Sequence, residues 1–386
     1  RAAQLAYFAV MMKARSKSRR IFREKVNVNL CAIQESNGFP KEAIDYLVNQ
    51  NVTEIEKQKL REDVEYLINA FHDAKEYGSI LEVKPIDFDA IERRLEEIRN
   101  GGTQDLFEYQ YRNIILGKIP PLIKQGRIMS QKYDVVVTNP PYMGQGNMTK
   151  KLIAYIEDKF QNSKGDFYSV FIDICIRFCN DYMYISMITQ HSWMFVASYE
   201  NLRNYILNNT TMYSLIHLGA RAFEEISGEV VQTTTFIIRR ILNKDYRGIY
   251  YKLDDVKNAK EKELQFLSNA NRKYIIKTSH YEVIPKKPIA YWISEKLLKA
   301  FSNRIDIYDI VDDIASGNKT ANNQKYLRYI WEIEKNKLNR KWILYAKGGE
   351  YRKWYGNLDN IIDWSNEARY FYKTNKTSNL LNERLW

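Results

Sequence analysis

The sequence has few cysteines, few histidines and no long apolar run, and each shortage excludes a class of protein. Among 386 residues there are 3 cysteines and 4 histidines. The cysteines, at Cys31, Cys175 and Cys179, favour free thiols in a reducing compartment over a disulfide framework. Four scattered histidines cannot supply a zinc ligand set, so no metal site is predicted. No stretch has the roughly 18 apolar residues of a membrane span or the pattern of a signal peptide, which predicts a cytoplasmic protein with no membrane partner.

Positive charge, in contrast, is in excess. Lysine plus arginine number 59 against 47 aspartate plus glutamate, which gives a net charge of +12. This excess is compatible with a polyanionic partner such as nucleic acid, although a basic composition alone does not identify one. The length allows one large domain and a second, partial one.

One short motif carries most of the chemical information. Residues 134–142 read Asp-Val-Val-Val-Thr-Asn-Pro-Pro-Tyr. The β-branched run predicts a buried, central strand of an open α/β sheet, and ligands of such sheets bind at the carboxyl ends of the strands. The motif of Asn139, Pro140, Pro141 and Tyr142 is therefore predicted to lie at a binding site. The alternative is an ordinary strand that ends in a proline turn.

These residue types suit methylation of a planar exocyclic amine. Asn139 offers a side-chain carbonyl to an amino hydrogen, and Pro140, with its fixed φ, holds a second, backbone carbonyl in place. Two acceptors on one NH2 group draw its lone pair out of conjugation and toward a methyl donor. Tyr142 supplies a face on which the ring that carries the amine can stack, and Pro141 is a further candidate contact to that base.

Several longer stretches resemble one enzyme family. Together they are similar to the adenine-specific DNA methyltransferases of the PglX family, which act in the phage-defence systems called BREX, and to the methyltransferase part of single-chain restriction-modification enzymes. The stretches are residues 1–15, 132–144, 164–171, 217–240 and 347–357. The resemblance implies S-adenosylmethionine as methyl donor, the N6 amine of adenine in double-stranded DNA as acceptor, and other defence-system proteins as possible partners.

The same resemblance implies a domain organisation. Residues 1–242 are expected to form a catalytic domain of the α/β class, a Rossmann-like S-adenosylmethionine-dependent methyltransferase sheet with a helical insert at about residues 39–127. The resembled enzymes carry a Gly-rich cofactor loop and an acidic, ribose-binding residue just upstream of the first helix. This sequence has neither, so the sheet is expected to be truncated at its N-terminal part and the chain to be a fragment. Residues 243–386 are expected to be a basic, aromatic-rich α+β region leading into a truncated DNA-recognition domain.

Local patterns predict individual elements of the catalytic domain. Residues 1–17 are predicted to form a helix with its apolar residues toward the sheet, and residues 26–33 to form a strand. Gln34 and Glu35 follow that strand, and the resemblance implies that they contact the cofactor's adenosine, with a solvated turn as the alternative. Pro120 and Pro121 are predicted to mark the return of the chain from the helical insert toward the sheet.

Further candidates follow the motif. Residues 166–179 are predicted to form a helix, in which the resemblance places Asp166 and Phe167 at the cofactor pocket; a core phenylalanine is the alternative for Phe167. Residues 211–218 and 230–240 are predicted to be a closing pair of strands. Phe223 and Glu229 lie on their connection, where a flipped base would enter, with packing and a surface turn as the alternatives.

The C-terminal region alternates basic and aromatic residues. Residues 319–376 contain 13 lysines and arginines against 6 acidic residues. Lys347, Arg352 and Lys353 are candidate phosphate contacts, because basic side chains neutralise phosphates while aromatic rings pack or stack. A tryptophan-rich core of a small domain is the alternative.

Two other functions remain open at this point. One is a DNA-binding or assembly subunit that keeps the fold without catalysing, an alternative that the missing cofactor loop keeps open. The other is methylation of a protein glutamine, since a side-chain amide is also a planar amine. The helical insert, the basic aromatic region and the wider resemblance argue against glutamine.

Overall fold

The chain divides into two compact units, Arg1–Ser302 and Asn303–Trp386. The computed structural model describes residues 2–24, 26, 28–49, 52–103, 105–223, 231–268, 272–302, 307–311 and 319–375. Within these ranges no helix is long and apolar enough to cross a membrane.

A mixed six-stranded sheet forms the centre of the first unit, in the spatial order β1-β2-β4-β3-β5-β6. Strands β1, β2, β3 and β5 run in one direction, while β4 and β6 run antiparallel to their neighbours. The strands are β1 (Tyr133–Thr138), β2 (Cys179–Gln190), β3 (Thr211–Gly219), β4 (Thr233–Arg239), β5 (Arg247–Lys252) and β6 (Lys273–Lys277). The predicted α/β class is confirmed, and so is the closing pair, which is the antiparallel ladder of β3 and β4.

Helices connect the parallel strands, as crossovers of parallel strands require. Helix α8 joins β1 to β2 and α9 joins β2 to β3, and both contribute buried side chains to the core that covers the sheet. The helices of the first unit outside the insert are α1 (Ala2–Lys17), α7 (Lys150–Lys159), α8 (Phe167–Phe178), α9 (Glu200–Asn209), α10 (Ala259–Leu267) and α11 (Glu295–Ser302).

The predicted helical insert is present between residues 41 and 130, with a hydrophobic core of its own. Its helices are α2 (Lys41–Val48), α3 (Glu54–Ala70), α4 (Ala74–Tyr77), α5 (Phe88–Asn100) and α6 (Leu106–Ser130). Helix starts follow from capping: the Thr53 side chain accepts from the Glu56 N–H at the start of α3. Pro120 and Pro121 do not mark the end of the insert as predicted, because both lie inside α6.

Two predictions for the N-terminal segment are wrong. Helix α1 exists, but its apolar residues, among them Leu5 and Phe8, are exposed instead of packed on the sheet. In the described part of residues 26–33 there is no strand. Instead, the Gln125 side chain of α6 bonds to both the N–H and the carbonyl of Gln34, at 2.8 and 2.9 Å. The segment that precedes Gln34 therefore leads to the helical insert and adds no strand to the sheet.

Strand β1 is at the edge of the sheet, which corrects the prediction of a buried, central strand. Side chains of a strand alternate between its two faces. Val136 packs against the core, whereas Val135 and Val137 are 61% and 69% exposed. The motif therefore follows an edge strand that packs against the core with only one of its two faces.

The predicted domain boundary after residue 242 falls inside the first unit. Strands β5 and β6 extend the sheet beyond that point, because β5 pairs in parallel with β3. The division lies after Ser302 instead.

The second unit is a small α+β fold. Its strands β7 (Leu327–Tyr329), β8 (Trp342–Tyr345) and β9 (Asn360–Asp363) form an antiparallel sheet in the order β7-β9-β8. Its helices are α12 (Ile307–Ile310), α13 (Asn323–Tyr326) and α14 (Asn366–Thr374). The core comprises Tyr326, Leu327, Ile362, Ala368 and Tyr372. The alternative prediction of a tryptophan-rich core is therefore wrong, because Trp342 is buried but Trp331 and Trp354 are exposed.

Candidate functional site

The motif lies at the carboxyl edge of the sheet, as predicted. Thr138, the last residue of β1, is in register with Met187 of the parallel strand β2. The chain then leaves the sheet at Asn139, which is exposed, while Pro140 is buried. A buried proline ring restricts the backbone at this point. The Asn139 side chain is thus available to a ligand on a rigid turn.

Tyr142 folds back onto the motif. Its hydroxyl donates to Oδ1 of Asn139 at 3.3 Å and lies 3.5 Å from the Ile188 carbonyl of β2. Burial raises the pKa of this phenol to about 12, so it is a neutral donor at physiological pH. The ring is half-buried and meets Tyr168 edge-on, with centroids 6.0 Å apart. Oδ1 of Asn139, the acceptor predicted to bind an amine, therefore already accepts a long hydrogen bond from the Tyr142 hydroxyl, which a substrate amine can replace.

The N-terminus of α8 is fastened to the loop that follows the motif. Asp166 caps this helix, and its carboxylate accepts from the N–H groups of Met143 at 3.1 Å and Tyr168 at 3.2 Å. The Phe167 N–H donates to the Met143 carbonyl at 3.0 Å. Burial raises the pKa of Asp166 despite these hydrogen bonds. The structure thus brings Asp166 and Phe167 to the motif, with the Phe167 ring edge-on to Phe171 at 5.2 Å.

Gln34 and Glu35 lie on the helical insert side. Glu35 accepts from the Lys75 N–H at 3.2 Å and pairs with its ammonium at 3.5 Å, at the start of α4. Near the same helix, Asp73 pairs with Lys151 of α7 at 2.6 Å. Glu35 is therefore linked to the segment after the motif through α4, whereas Gln34 bonds to Gln125 of α6 and to the Ala32 carbonyl.

The connection between β3 and β4 is described in part. Strand β3 has the direction of β2, so the residues after Gly219 emerge at the same edge as Asn139. Phe223 lies on this connection and is half-buried. Glu229 lies outside the described residues.

A pair of histidines at this edge escaped the sequence analysis. His191 follows β2 and His217 lies near the end of β3, and Nδ1 of His191 is 2.6 Å from Nε2 of His217. Burial lowers the pKa of both rings, that of His217 to about 4. Both rings are therefore neutral at pH 7, and one donates to the other. His217 lies within the predicted strand 211–218, but no local pattern pairs it with His191, 26 residues away, so the sequence contains no signal for this contact.

The candidate phosphate contacts lie on the second unit. Lys347, Arg352 and Lys353 are all exposed on the connection between β8 and β9. The ammonium of Lys353 lies 5.3 Å from the centroid of the Trp354 ring. Each of these cations is accessible to a solvent-borne polyanion.

Comparison with known proteins gives consistent matches. The Eco57I restriction-modification methylase family matches residues 1–223. The adenine-specific methyltransferase PglX of Lacticaseibacillus casei (strain Zhang) is 33% identical over 385 residues, 95% of this chain and 31% of that protein. The adenine-specific methyltransferase BrxX of Escherichia coli O9:H4 (strain HS) is 31% identical over 390 residues, 95% of this chain and 32% of that protein.

A third relative is more distant. The type II restriction enzyme and methyltransferase RM.Eco57I of Escherichia coli is 25% identical over 209 residues, 52% of this chain and 20% of that protein. The resemblance predicted from the sequence stretches is confirmed by these matches. The chain spans about a third of the length of the first two relatives.

Proposed function

We propose that this chain, which belongs to the Eco57I restriction-modification methylase family, provides the amine-binding site of a DNA methyltransferase. Its methyl donor is S-adenosylmethionine, and its acceptor is the N6 amine of adenine in double-stranded DNA. The protein acts in phage defence or restriction-modification, with other defence proteins as partners. The observation that carries this proposal is the motif turn, with exposed Asn139 and buried Pro140 at the carboxyl edge of the sheet. The adenine-specific names of two relatives support the choice of base.

Each motif residue has one task in this function. The adenine leaves the duplex, since enzymes that act on a base must take it out of the stack. Its N6 hydrogens displace the Tyr142 hydroxyl from Asn139 and bind Oδ1 and the Pro140 carbonyl. Tyr142 then stacks on the ring, while Pro141 and Phe223 contact the base. The catalysis is orientation and electrostatics, and it needs no covalent enzyme intermediate.

The described residues fit one wall of a cofactor site. Phe167 presents a half-buried aromatic ring beside the motif, which suits the adenine of S-adenosylmethionine. Asp166 bonds to the Met143 and Tyr168 N–H groups and so fixes the start of α8 beside the motif, and Gln34 and Glu35 are further candidates for cofactor contact. When bound, S-adenosylmethionine supplies an electrophilic methyl carbon.

The test combines binding and transfer. Calorimetric titration of the purified protein with S-adenosylmethionine should show binding, and tritium from the labelled methyl group should appear on adenine of duplex DNA. DNA binding without cofactor binding would identify the non-catalytic subunit instead. Transfer to a protein glutamine, with none to DNA, would identify the other rival.

Substitutions of Tyr142 distinguish the contribution of its ring from that of its hydroxyl. Tyr142→Ala should weaken capture of the extruded base by about 1–3 kcal/mol, as for loss of one base–aromatic stack. Tyr142→Phe and Tyr142→Trp should keep most activity, because the 3.3 Å contact with Asn139 must break when the amine binds. The measurement is kcat/KM for methylation of an oligonucleotide. If Phe is as damaging as Ala, the hydroxyl and not the ring carries the effect.

Neutralising Lys347, Arg352 and Lys353 together should weaken binding to every duplex alike. The slope of log affinity against log salt should flatten by about three units, at roughly one per lost phosphate contact. Sequence preference should survive, because phosphate contacts carry no base information. The measurement is a salt titration of DNA affinity.

A charge-matched control is available in the first unit. The control replaces three lysines that each pair with a carboxylate. The pairs are Lys159 with Asp158, Lys244 with Glu282 and Lys277 with Asp245. Neutralising these three changes the net charge equally and should leave the slope nearly unchanged. Equal slopes in both triple variants would place the phosphate path elsewhere.

A further inference from the structure

The connection between β8 and β9, residues 346–359, carries three aromatic side chains that are almost wholly in water. We call it the aromatic loop. Tyr351, Trp354 and Tyr355 are 87%, 88% and 82% exposed. Large rings are normally at least partly buried, because each removes much apolar surface from water when it packs. Adjacent rings left in solvent mark a surface that binds a partner.

The shape of the aromatic loop is determined by contacts at its base. The Asn357 side chain donates to the Glu350 carbonyl at 3.2 Å, and Asn357 has a left-handed φ of 61°. A Cβ at Gly349 would lie 2.7 Å from Oδ1 of Asn357, and one at Gly356 would lie 2.5 Å from Cγ of Arg352. Gly356 also has a φ of 152°, which favours glycine. The rings are therefore presented on a defined turn.

A second aromatic pair lies at the same end of the small sheet. Asn360, the first residue of β9, is in register with both Tyr329 of β7 and Tyr345 of β8. Tyr329 stacks on Trp331 with centroids 4.7 Å apart and planes 3° from parallel, and both are exposed. The aromatic loop and this stacked pair thus extend from one end of the second unit.

Positively charged residues lie between and near the rings of the aromatic loop. Arg352 and Lys353 stand between Tyr351 and Trp354 in the sequence. Lys347 lines a cleft of about 480 Å³ together with Arg328 and Tyr329. The acidic residues of the loop are Glu350 and Asp359. A cation next to a flat ring matches the phosphate and base of a nucleotide, which singles out nucleic acid among polyanions.

We infer that the aromatic loop stacks on bases of DNA that have lost their pairing partner, so that it binds a locally opened duplex in preference to an intact one. In intact duplex DNA the base faces are covered by their neighbours, and only base edges are offered in the grooves. A ring gains a stacking contact only where a base has been extruded or unstacked. The inference rests on the DNA binding proposed above and assigns the second unit a preference for the opened state.

The experiment compares two duplexes that differ at one position. One is fully paired, and the other has an abasic site opposite one cytosine, which leaves unpaired a base other than the adenine assigned to the first unit. The wild-type protein should bind the opened duplex at least about fivefold more tightly, since a base–aromatic stack contributes about 1–3 kcal/mol. The variant Tyr351→Ala/Trp354→Ala/Tyr355→Ala should lose this preference. It should keep its affinity for the paired duplex and its salt dependence.

A matched variant tests whether flat rings are what matters. Tyr351→Phe/Trp354→Phe/Tyr355→Phe keeps three rings without hydroxyl or indole N–H groups and should retain the preference. Circular dichroism should show the same folded content in all three proteins. Quenching of Trp354 fluorescence by the opened duplex, absent in a Trp354→Phe single variant, gives an independent readout.

Several results would overturn the inference. Equal wild-type affinity for both duplexes would do so while leaving DNA binding intact. If the Ala variant still prefers the opened duplex, the preference comes from the base pocket of the first unit and not from the aromatic loop. Lost self-association of the Ala variant in sedimentation, with DNA binding unchanged, would make the aromatic loop an interface between copies. Binding to neither duplex would also remove the DNA function proposed above.

Discussion

Asn139→Ala should reduce methyl transfer by roughly two to three orders of magnitude, as expected for loss of one oriented acceptor in the transition state. Stability should change little, because Asn139 is exposed and its contact with the Tyr142 hydroxyl is a long one of 3.3 Å. Affinity for DNA and for S-adenosylmethionine should also stay near the wild-type values. The measurement is single-turnover methylation at saturating DNA and cofactor, which isolates the chemical step.

Asn180→Ala is a matched control for this substitution. Asn180 lies at the amino end of β2, where its side chain donates to Asp134 at 2.9 Å. Asn180 is therefore an asparagine of the same pair of strands, β1 and β2, but at the end of the sheet opposite to the motif. Its loss should leave the methylation rate within a few fold of wild type. Near-normal activity of Asn139→Ala would remove the catalytic assignment of the motif.

Lys262→Met should destabilise the first unit by about 2 kcal/mol or more. The Lys262 ammonium is buried, and its three N–H groups donate to the carbonyls of Leu218, Leu253 and Val256 at 2.6, 2.8 and 2.7 Å. Methionine has a similar volume but no donor, so all three carbonyls would lose the ammonium, although the Leu253 carbonyl would keep its bond from the Val256 N–H at 3.2 Å. Each buried polar group left unsatisfied costs about 1–3 kcal/mol.

Lys260→Met is the control for this prediction, because Lys260 lies on the same helix α10 and is exposed. Urea unfolding followed by circular dichroism gives the free energies of unfolding. Amide exchange of β3 gives a local readout, since Leu218 belongs to this strand. If both lysine variants unfold at the same urea concentration, the buried ammonium does not hold the end of β3.

Local chemistry was sufficient to predict the motif and most elements around it. The β-branched run before Asn139 and the restricted backbone of Pro140 act over a few residues, so they have the same effect in any fold. Helix α8 begins at its Asp166 cap and strands β3 and β4 lie close to their predicted positions for the same reason. The family was also evident from sequence, because the resembling stretches are distributed along most of the chain.

Only the tertiary structure determined which faces of these elements are buried and which distant residues come into contact at the site. Whether Val135 and Val137 are buried depends on a neighbour on the far side of β1, and local periodicity does not specify that neighbour. The pairing of His191 with His217 and the three carbonyls around Lys262 join residues far apart in sequence. The aromatic pattern of the second unit permitted either a core or a binding surface. Only the folded chain shows that Tyr351, Trp354 and Tyr355 are exposed and not part of the core, because burial is a property of contacts between elements and not of composition.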